Sequence, residues 1–301
     1  MPQAVLVTSP RQPDSLRELA DTLRYELELQ AIPSAVHAGS MPEEREGQVA
    51  IVLDPAEFVA AEGDRQLGED VARRAVFICA TVAGLDEHVE LLRRGGAVFA
   101  LDQRAVLSLQ RHGIRARLLR PGYSASRDRF DPDAARSIDV AFMGLPVSRQ
   151  AVYLERAADV LSRYDCALGG PGSDDDGPNR STPSVDRWAV LTDSRVVINI
   201  HSDERTRLEW PLVLDAIHAG AVVVSEHSSG IAPLVAGEHL LVGAPDSLPF
   251  LADVLLRDPE RIAAIRARAY ERLREWIPFA LWVSVLRAAI VELVGEPISK
   301  S

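Results

Sequence analysis

A dense patch of charge lies between two apolar runs in the segment INIHSDERTRLEWPLVLDAIHAGAVVVSE, residues 198–226. Its titratable and charged members are His201, Asp203, Glu204, Arg205, Arg207 and Glu209. An imidazole can accept or release a proton near neutral pH, and a guanidinium can bind phosphate oxygens through paired hydrogen bonds. The patch therefore suggests an acid–base or anion-binding site between a strand and a helix.

Arginine supplies almost all of the positive charge in this chain. Of the 33 basic residues, Lys300 is the only lysine. Any cationic phosphate-binding group is therefore expected to be arginine, which suits bidentate contact with phosphate. Arg149 and Arg207 are the candidates. The alternative for Arg149 is an exposed residue that opens a helix, and for Arg207 a surface ion pair with Asp203 or Glu204.

Composition limits the classes of protein to which the chain can belong. It has 301 residues, of which 47% are hydrophobic and 26% charged, as in ordinary folded proteins, and its length favours two domains. A net charge of −11 argues against a nucleic-acid partner. The sequence leaves a homo-oligomer open.

Cysteine usage and the chain termini point to a cytoplasmic protein. Cys79 and Cys166 lie in or beside apolar runs, which predicts buried free thiols in a reducing compartment. We expect neither a metal nor a cofactor, because no Cys/His cluster has metal-ligand spacing. The N-terminus does not resemble a secretory signal. The apolar segment 276–295 is interrupted by Pro278 and Arg287 among others, so we expect a docking helix and no integral membrane segment.

Short apolar runs alternate with helical patterns along the chain. Strands are predicted at 4–9, 48–54, 75–80, 97–102, 138–144, 166–170, 195–201 and 221–226, and helices at 14–30, 149–164, 211–219 and 258–276. Strands that are apolar throughout, separated by helices, indicate parallel sheets covered on both faces. The predicted fold is α/β, with two tandem Rossmann-like domains facing a cleft.

The predicted domains are 1–120, 121–275 and a C-terminal helix, 276–301, that packs back on the first domain. Ligands of open parallel sheets bind beyond the carboxyl ends of the strands. In the second domain that edge carries the loops after Gly144, Gly170, His201 and Glu226. The opening charge patch therefore falls on this edge.

Several segments of the second half, taken in order, resemble the donor domain of GT-B-type glycosyltransferases, and within them the glycosyltransferase group 1 branch that includes CgeB-like proteins. The segments are RLLRPGYSASRDRFDP (117–132), IDVAFMGLPVSR (138–149), CALGGPG (166–172), LTDSRVVINIHSDE (191–204) and WPLVLDAIHAGAVVVSEHSSG (210–230). The resemblance covers roughly residues 117–275. Before it, the chain is similar only in being Rossmann-like, as expected for an acceptor-binding domain.

The resemblance implies a metal-independent enzyme that moves a sugar from a nucleotide-diphosphate donor, such as a UDP- or GDP-sugar, to an unknown acceptor with retention. It assigns Arg149, Arg207, Gly144, Ser228, Ser229 and Gly230 to the donor diphosphate, Asp215 to the ribose, and Glu209 and His201 to catalysis. For His201 a structural role is the alternative. For Glu209 it is an acid favoured by the helix dipole, for Asp215 a solvated or His218-paired residue, and for residues 228–230 a plain turn.

The chain departs from the family at the paired glutamates of retaining members. Asp215 stands at the second position, and the first, eight residues earlier, is Arg207. Glu209 is the nearest carboxylate, two residues out of register. Two alternatives therefore stay open: a nucleotide-sugar epimerase on the same scaffold, and a non-catalytic sugar- or nucleotide-binding coat-type protein.

Overall fold

The computed structural model describes residues 2–10, 12, 14–43, 45–80, 85–143, 148–169, 186–201 and 208–295. Two of the predicted site residues, Gly144 and Arg207, lie outside these ranges. The chain divides into two compact units: unit 1 comprises Met1–Ser126 and Phe279–Ser301, and unit 2 comprises Arg127–Pro278.

Unit 1 is built on a six-stranded sheet. Its strands are β1 Gln3–Thr8, β2 Ser34–Ala38, β3 Gln48–Leu53, β4 Ala75–Cys79, β5 Ala97–Ala100 and β6 Ala116–Leu118. All neighbours pair in parallel, in the order β2-β1-β3-β4-β5-β6. The helices of unit 1 that precede unit 2 along the chain are α1 Asp14–Leu29, α2 Pro55–Glu62, α3 Glu69–Arg73, α4 Val89–Arg94 and α5 Gln103–Arg111.

Apolar periodicity places these helices on both faces of the sheet. In α1 the side chains of Leu16, Leu19, Leu23 and Leu27 form one buried stripe. Helix α5 begins where the Asp102 carboxylate accepts hydrogen bonds from two backbone N–H groups of its first turn. The central strands β1, β3, β4 and β5 are buried from both sides, as their uninterrupted apolar runs predict.

Unit 2 holds a five-stranded parallel sheet. Its strands are β7 Ile138–Met143, β8 Cys166–Gly169, β9 Ser194–Asn199, β10 Val222–Glu226 and β11 Leu241–Gly243, in the order β11-β10-β9-β7-β8. Its helices are α6 Ser148–Leu161, α7 Arg187–Asp193, α8 Trp210–His218, α9 Leu248–Leu256 and α10 Pro259–Trp276. Helices α6, α9 and α10 share one apolar core with the strands.

The last helix, α11 Phe279–Gly295, belongs to unit 1. Its buried residues Phe279, Val283, Leu286, Ala289 and Ile290 join the core formed by α1 and the sheet. Among the helices that the structure describes, none is both long and apolar enough to cross a bilayer. Both units are thus parallel α/β layers, and the predicted class of two α/β, Rossmann-like domains is confirmed.

The cysteine prediction is only half right. Cys79 is buried in β4, and the low-dielectric surroundings raise the pKa of its thiol to about 12. Cys166 is exposed, and its thiol donates to the Leu161 carbonyl. It begins β8, which lies at the edge of the sheet and therefore has one open side.

Candidate functional site

The strand order of unit 2 creates a crevice between β7 and β9. These strands are neighbours in the sheet, yet the chain passes from β7 to β8 on one side and from β9 to β10 on the other. Loops that leave two neighbouring strands in opposite directions open a ligand-binding crevice at the carboxyl edge. Arg149 follows β7 and His201 follows β9, so both stand at this crevice.

Arg149 and Glu226 form a bidentate ion pair across the crevice. Arg149 Nη1 and Nη2 donate to Glu226 Oε1 at 2.5 Å and Oε2 at 2.7 Å. The Glu226 carboxylate is 7% exposed, whereas the Arg149 side chain is 33% exposed. Two parallel N–H···O bonds fix the plane of a guanidinium. Arg149 is therefore an oriented cation, partly open to solvent, at the ligand-binding edge.

The same pair holds the backbone of His201. The His201 N–H donates to Glu226 Oε1 at 3.0 Å, and the His201 carbonyl accepts from Arg149 Nη1 at 2.9 Å. The end of β9 is thus tied to the end of β10 and to the start of α6. We call the Arg149, Glu226 and His201 network the edge clamp.

The His201 imidazole is nearly excluded from solvent, at 2% exposure. Its Nε2 lies 2.8 Å from the Ser228 hydroxyl oxygen, and that hydroxyl donates to the Glu226 carbonyl at 2.8 Å. Because the Ser228 hydroxyl donates to the carbonyl, its oxygen can accept from Nε2 in the tautomer that protonates this nitrogen. In this arrangement His201 connects two strand ends, which matches the structural alternative rather than an accessible base.

The N-terminus of α8 contacts the loop after β10. The Leu208 N–H points to the Ser229 carbonyl at 3.5 Å, and Trp210 Nε1 donates to the Gly230 carbonyl at 3.1 Å. Gly230 has φ +74°, a left-handed conformation that favours glycine. Ser229 and Gly230 are exposed and Ser228 is half-buried. Two carbonyl groups of the loop therefore face the start of α8 at this part of the edge.

Glu209 is the residue that precedes the first turn of α8. It is half-buried, and its carboxylate does not cap the helix. Glu209 is thus close to residues 228–230 through its neighbours Leu208 and Trp210. Its assignment to catalysis stays a prediction.

Asp215 stands elsewhere, in a buried arginine cluster. Its carboxylate is 1% exposed and lies 2.5 Å from Arg127 Nη2 and 2.9 Å from Arg187 Nη2. The guanidinium carbons of both arginines lie within 6 Å of the Trp188 ring centroid. The sequence predicts a ribose contact here, but the structure offers a ribose no accessible oxygen of Asp215. The reason is that two guanidiniums from distant segments cover the carboxylate.

Burial controls the ionisation of two further side chains near these groups. It lowers the pKa of His218, on α8, to about 4, and the Arg127 and Arg129 guanidiniums act in the same direction. His218 Nδ1 donates to the Leu214 carbonyl at 2.8 Å, which ties the imidazole to the backbone one turn earlier in α8. Burial also raises the pKa of Tyr153, helped by the Glu226 and Asp246 carboxylates.

The structure therefore brings together Arg149, His201 and Ser228 in one network, with Ser229, Gly230 and Glu209 beside it at the start of α8. It separates Asp215 from them.

Sequence reasoning missed the role of Glu226, although a carboxylate that ends an apolar strand at the binding edge was a usable signal. It also missed Arg127 and Arg187, whose link to Asp215 spans 88 and 28 positions and leaves no local pattern. In the described ranges, no three His, Cys, Asp or Glu side chains are grouped to hold a metal ion.

Comparisons with known proteins identify the fold. No family model matches the chain, and no curated protein matches its sequence. Among solved structures, Anabaena Alr3699/HepE in complex with UDP-glucose is similar with a TM-score of 0.66 and 13% identity, over 96% of this chain and 99% of that one. A glycosyltransferase from Rickettsia africae has a TM-score of 0.65 and 10% identity, over 98% and 100%. The E. coli structure described as trehalose-6-phosphate bound with UDP-2-fluoro glucose has a TM-score of 0.58 and 11% identity, over 98% of this chain and 99% of that one. The chain thus has the GT-B fold that the sequence predicts.

Proposed function

We propose that this protein transfers a glycosyl group from a UDP-sugar to an acceptor hydroxyl, and that it binds the donor at the carboxyl edge of unit 2. The observation that carries the proposal is Arg149. It is an oriented guanidinium held by Glu226 at the crevice between β7 and β9 of a GT-B fold. The choice of uridine rests on structural neighbours whose ligands are UDP, UDP-glucose and UDP-2-fluoro glucose.

In the proposed reaction the acceptor oxygen forms a bond to the anomeric carbon of the sugar. The bond from that carbon to the β-phosphate oxygen breaks, and its electron pair leaves with UDP. We expect retention at the anomeric carbon, with the acceptor proton passing to the departing phosphate oxygen. Negative charge grows on the diphosphate as the bond breaks, so a fixed cation there lowers the barrier. Loss of one such stabilising donor typically lowers the rate by about 10²- to 10³-fold.

The charge on the leaving group would be met by Arg149 and by the N–H groups around the start of α8. A helix N-terminus carries partial positive charge and favours anions. Ser228, Ser229 and Gly230 would contribute further N–H groups beside it. Arg207 and Gly144, outside the described ranges, are proposed as the remaining diphosphate contacts, and no metal is required in this scheme.

The other predicted residues receive roles that fit their positions. We assign Glu209 to the donor sugar or acceptor, because it precedes α8 at the same edge. His201 is a positioning residue whose backbone is part of the edge clamp. We assign Asp215 to holding Arg127 and Arg187 near Trp188 rather than to the ribose, because its carboxylate is 1% exposed.

Ligand binding tests the donor site directly. Thermal unfolding is measured with UDP, GDP, ADP and dTDP at equal concentrations, and UDP at about 100 times its Kd is expected to add about 2.7 kcal/mol of stability. Arg149→Met should abolish the response. Arg156→Met, an exposed arginine on the same helix, is the matched control and should respond like the natural protein.

Arg149→Met also leaves the buried Glu226 carboxylate without its arginine, so a folding defect must be separated from a binding defect. The double variant Arg149→Met/Glu226→Gln removes both charges and is expected to recover most of the lost stability. It should still fail to bind UDP. Recovery of UDP binding in the double variant would remove Arg149 from the donor site.

Turnover distinguishes the proposed enzyme from its alternatives. Incubation with UDP-glucose and no acceptor is expected to release UDP and glucose slowly, with water as the attacking hydroxyl, and Arg149→Met should reduce that rate about 10²- to 10³-fold. Conversion to an epimeric UDP-sugar without UDP release would support the epimerase. Binding of UDP-sugar with no reaction would support the non-catalytic protein.

A further inference from the structure

Arg266 lies on the buried face of α10, far along the chain from every residue of the proposed donor site. It sits on the same face as Ile262, Ile265, Ala269 and Leu273, which pack into unit 2. Helix α10 packs there against α8, α9 and β10. Arg266 is only 9% exposed. A position in this stripe would ordinarily hold an aliphatic side chain.

The Arg266 guanidinium has no partner within the described residues. Its Nε is fully buried without a hydrogen-bond acceptor, whereas Nη1 and Nη2 are not among the buried atoms that lack a partner, and the group forms no ion pair there. Burial lowers the pKa of Arg266. The charged group that acts on it is another cation, Arg195, which lowers this pKa further. Arg266 in turn contributes to the lowered pKa of Arg136, which burial brings to about 10.

The two neighbouring arginines already have their own acceptors. Arg136 donates to the carbonyls of Leu191, Ser194 and Ala219, at distances of 2.8–3.4 Å. Arg195 donates to the Asp139 carboxylate at 2.8 Å and to the Leu256 carbonyl at 3.1 Å. Asp193, another acid of this region, accepts from Ser137. The Asp131 and Asp193 carboxylates raise the pKa of Arg136, but no carboxylate acts on the pKa of Arg266 in this way, so these acids do not neutralise its charge.

A buried charge without a counter-ion is strongly unfavourable, and proteins that retain one usually supply an opposite charge. We propose that Arg266 binds a small tetrahedral oxyanion, phosphate or sulfate, with Arg136 and Arg195 adding to the positive potential. A guanidinium matches this class of ligand because its parallel N–H groups fit two oxygens. The low exposure of Arg266 favours an ion over a larger molecule.

This oxyanion site is separate from the donor site. Arg195 and the Arg136 partner Ser194 are the first residues of β9, at the amino edge of the sheet. Arg149 lies at the carboxyl edge, beyond the other end of β9. The same chemistry could come from free phosphate or from the phosphate group of a small monoester, and the two sources differ in size.

The test measures thermal unfolding of the full chain in phosphate or sulfate, against sodium chloride of equal ionic strength. Every protein carries Arg149→Met/Glu226→Gln, so that phosphate bound at the donor site cannot contribute. We expect a saturable rise in Tm of about 2–5 °C at tenfold Kd. Glucose 6-phosphate replaces phosphate in a parallel titration, and we expect no rise with it.

Arg266→Met should lose the phosphate response and, in chloride, be as stable as its parent or more so. Arg268→Met, an exposed arginine on the same helix, is the control and should keep the response. Arg266→Lys should retain a weaker one. A phosphate response that survives Arg266→Met, or a parent protein that responds no more to phosphate than to chloride, would overturn the oxyanion site. A response to glucose 6-phosphate as large as that to phosphate would overturn the preference for the free ion.

Discussion

His218 makes the stability of unit 2 depend on pH. Burial holds its pKa at about 4 in the folded protein, against 6.5 for an ordinary histidine. Between these values the unfolded chain binds a proton that the folded chain does not, so stability falls as the pH falls from 6.5 to 4. Each pKa unit corresponds to about 1.4 kcal/mol, so lowering the pH from 7.5 to 4.5 should remove about 2–3 kcal/mol through this group alone.

The replacement His218→Asn isolates that contribution. An asparagine amide can replace Nδ1 as the donor to the Leu214 carbonyl but does not titrate. Carboxylates also titrate in this range, so the informative quantity is the difference between the two proteins. The natural protein should lose about 2–3 kcal/mol more than His218→Asn between pH 7.5 and 4.5. His227→Asn, which removes an exposed histidine of the same unit, should behave like the natural protein.

Urea denaturation followed by tryptophan fluorescence can report on unit 2 alone. Three of the four tryptophans, Trp188, Trp210 and Trp276, belong to unit 2, and Trp282 belongs to α11 of unit 1. All proteins are therefore compared in a Trp282→Phe background. With a typical urea m-value, the expected difference in midpoint is about 1–2 M. Equal losses in the natural protein and in His218→Asn would refute the buried neutral imidazole.

Three further substitutions test particular contacts. Asp215→Asn leaves two arginines without their buried carboxylate and should destabilise unit 2 by about 3–5 kcal/mol in the same assay; a loss below about 1 kcal/mol would contradict the cluster. Gly96→Ala would place a methyl group onto the Arg73 carbonyl oxygen and should destabilise unit 1 by about 1–3 kcal/mol. Gly68→Ala is the control and should cost less, because the atom nearest to its new methyl group, the Arg65 carbonyl oxygen, is 3.8 Å away. Leu286→Ala, fully buried in α11, should cost about 2–5 kcal/mol in urea denaturation followed by circular dichroism, and a neutral result would show that α11 is not part of the core.

The sequence predicts the central strands because their burial leaves a local signal. The runs that become β1, β3, β4, β7, β9 and β10 are apolar on both faces, and the predicted bounds differ from the observed ones by two residues at most. Strand β2 was missed because it lies at the edge of its sheet and four of its five residues are exposed. Strands β6 and β11 have three residues each, too few to show a pattern.

The site residues were harder to predict because ion pairs depend on three-dimensional proximity. Composition and topology indicate that arginines at the carboxyl edge of unit 2 are the candidates for anion binding, and Arg149 stands there. The partner of Arg149 is 77 residues away, and the side chain of Asp215 could be assigned only by resemblance. That resemblance fixes the position of the residue in the helix but not which side chains cover it.

The GT-B fold by itself does not determine which unit holds the donor. Both sheets begin with the same order, in which the first strand lies between the second and the third, so each has a crevice at its carboxyl edge. In unit 1 the described residues there include Ser9, Gln12 and Asp54, all buried, with Gln12 donating to the Leu53 carbonyl. In unit 2 the Arg149 guanidinium lies at the crevice and is partly exposed to solvent. A diphosphate needs an accessible positive charge, so the charge at the crevice, rather than the topology, is the reason for placing the proposed donor site in unit 2.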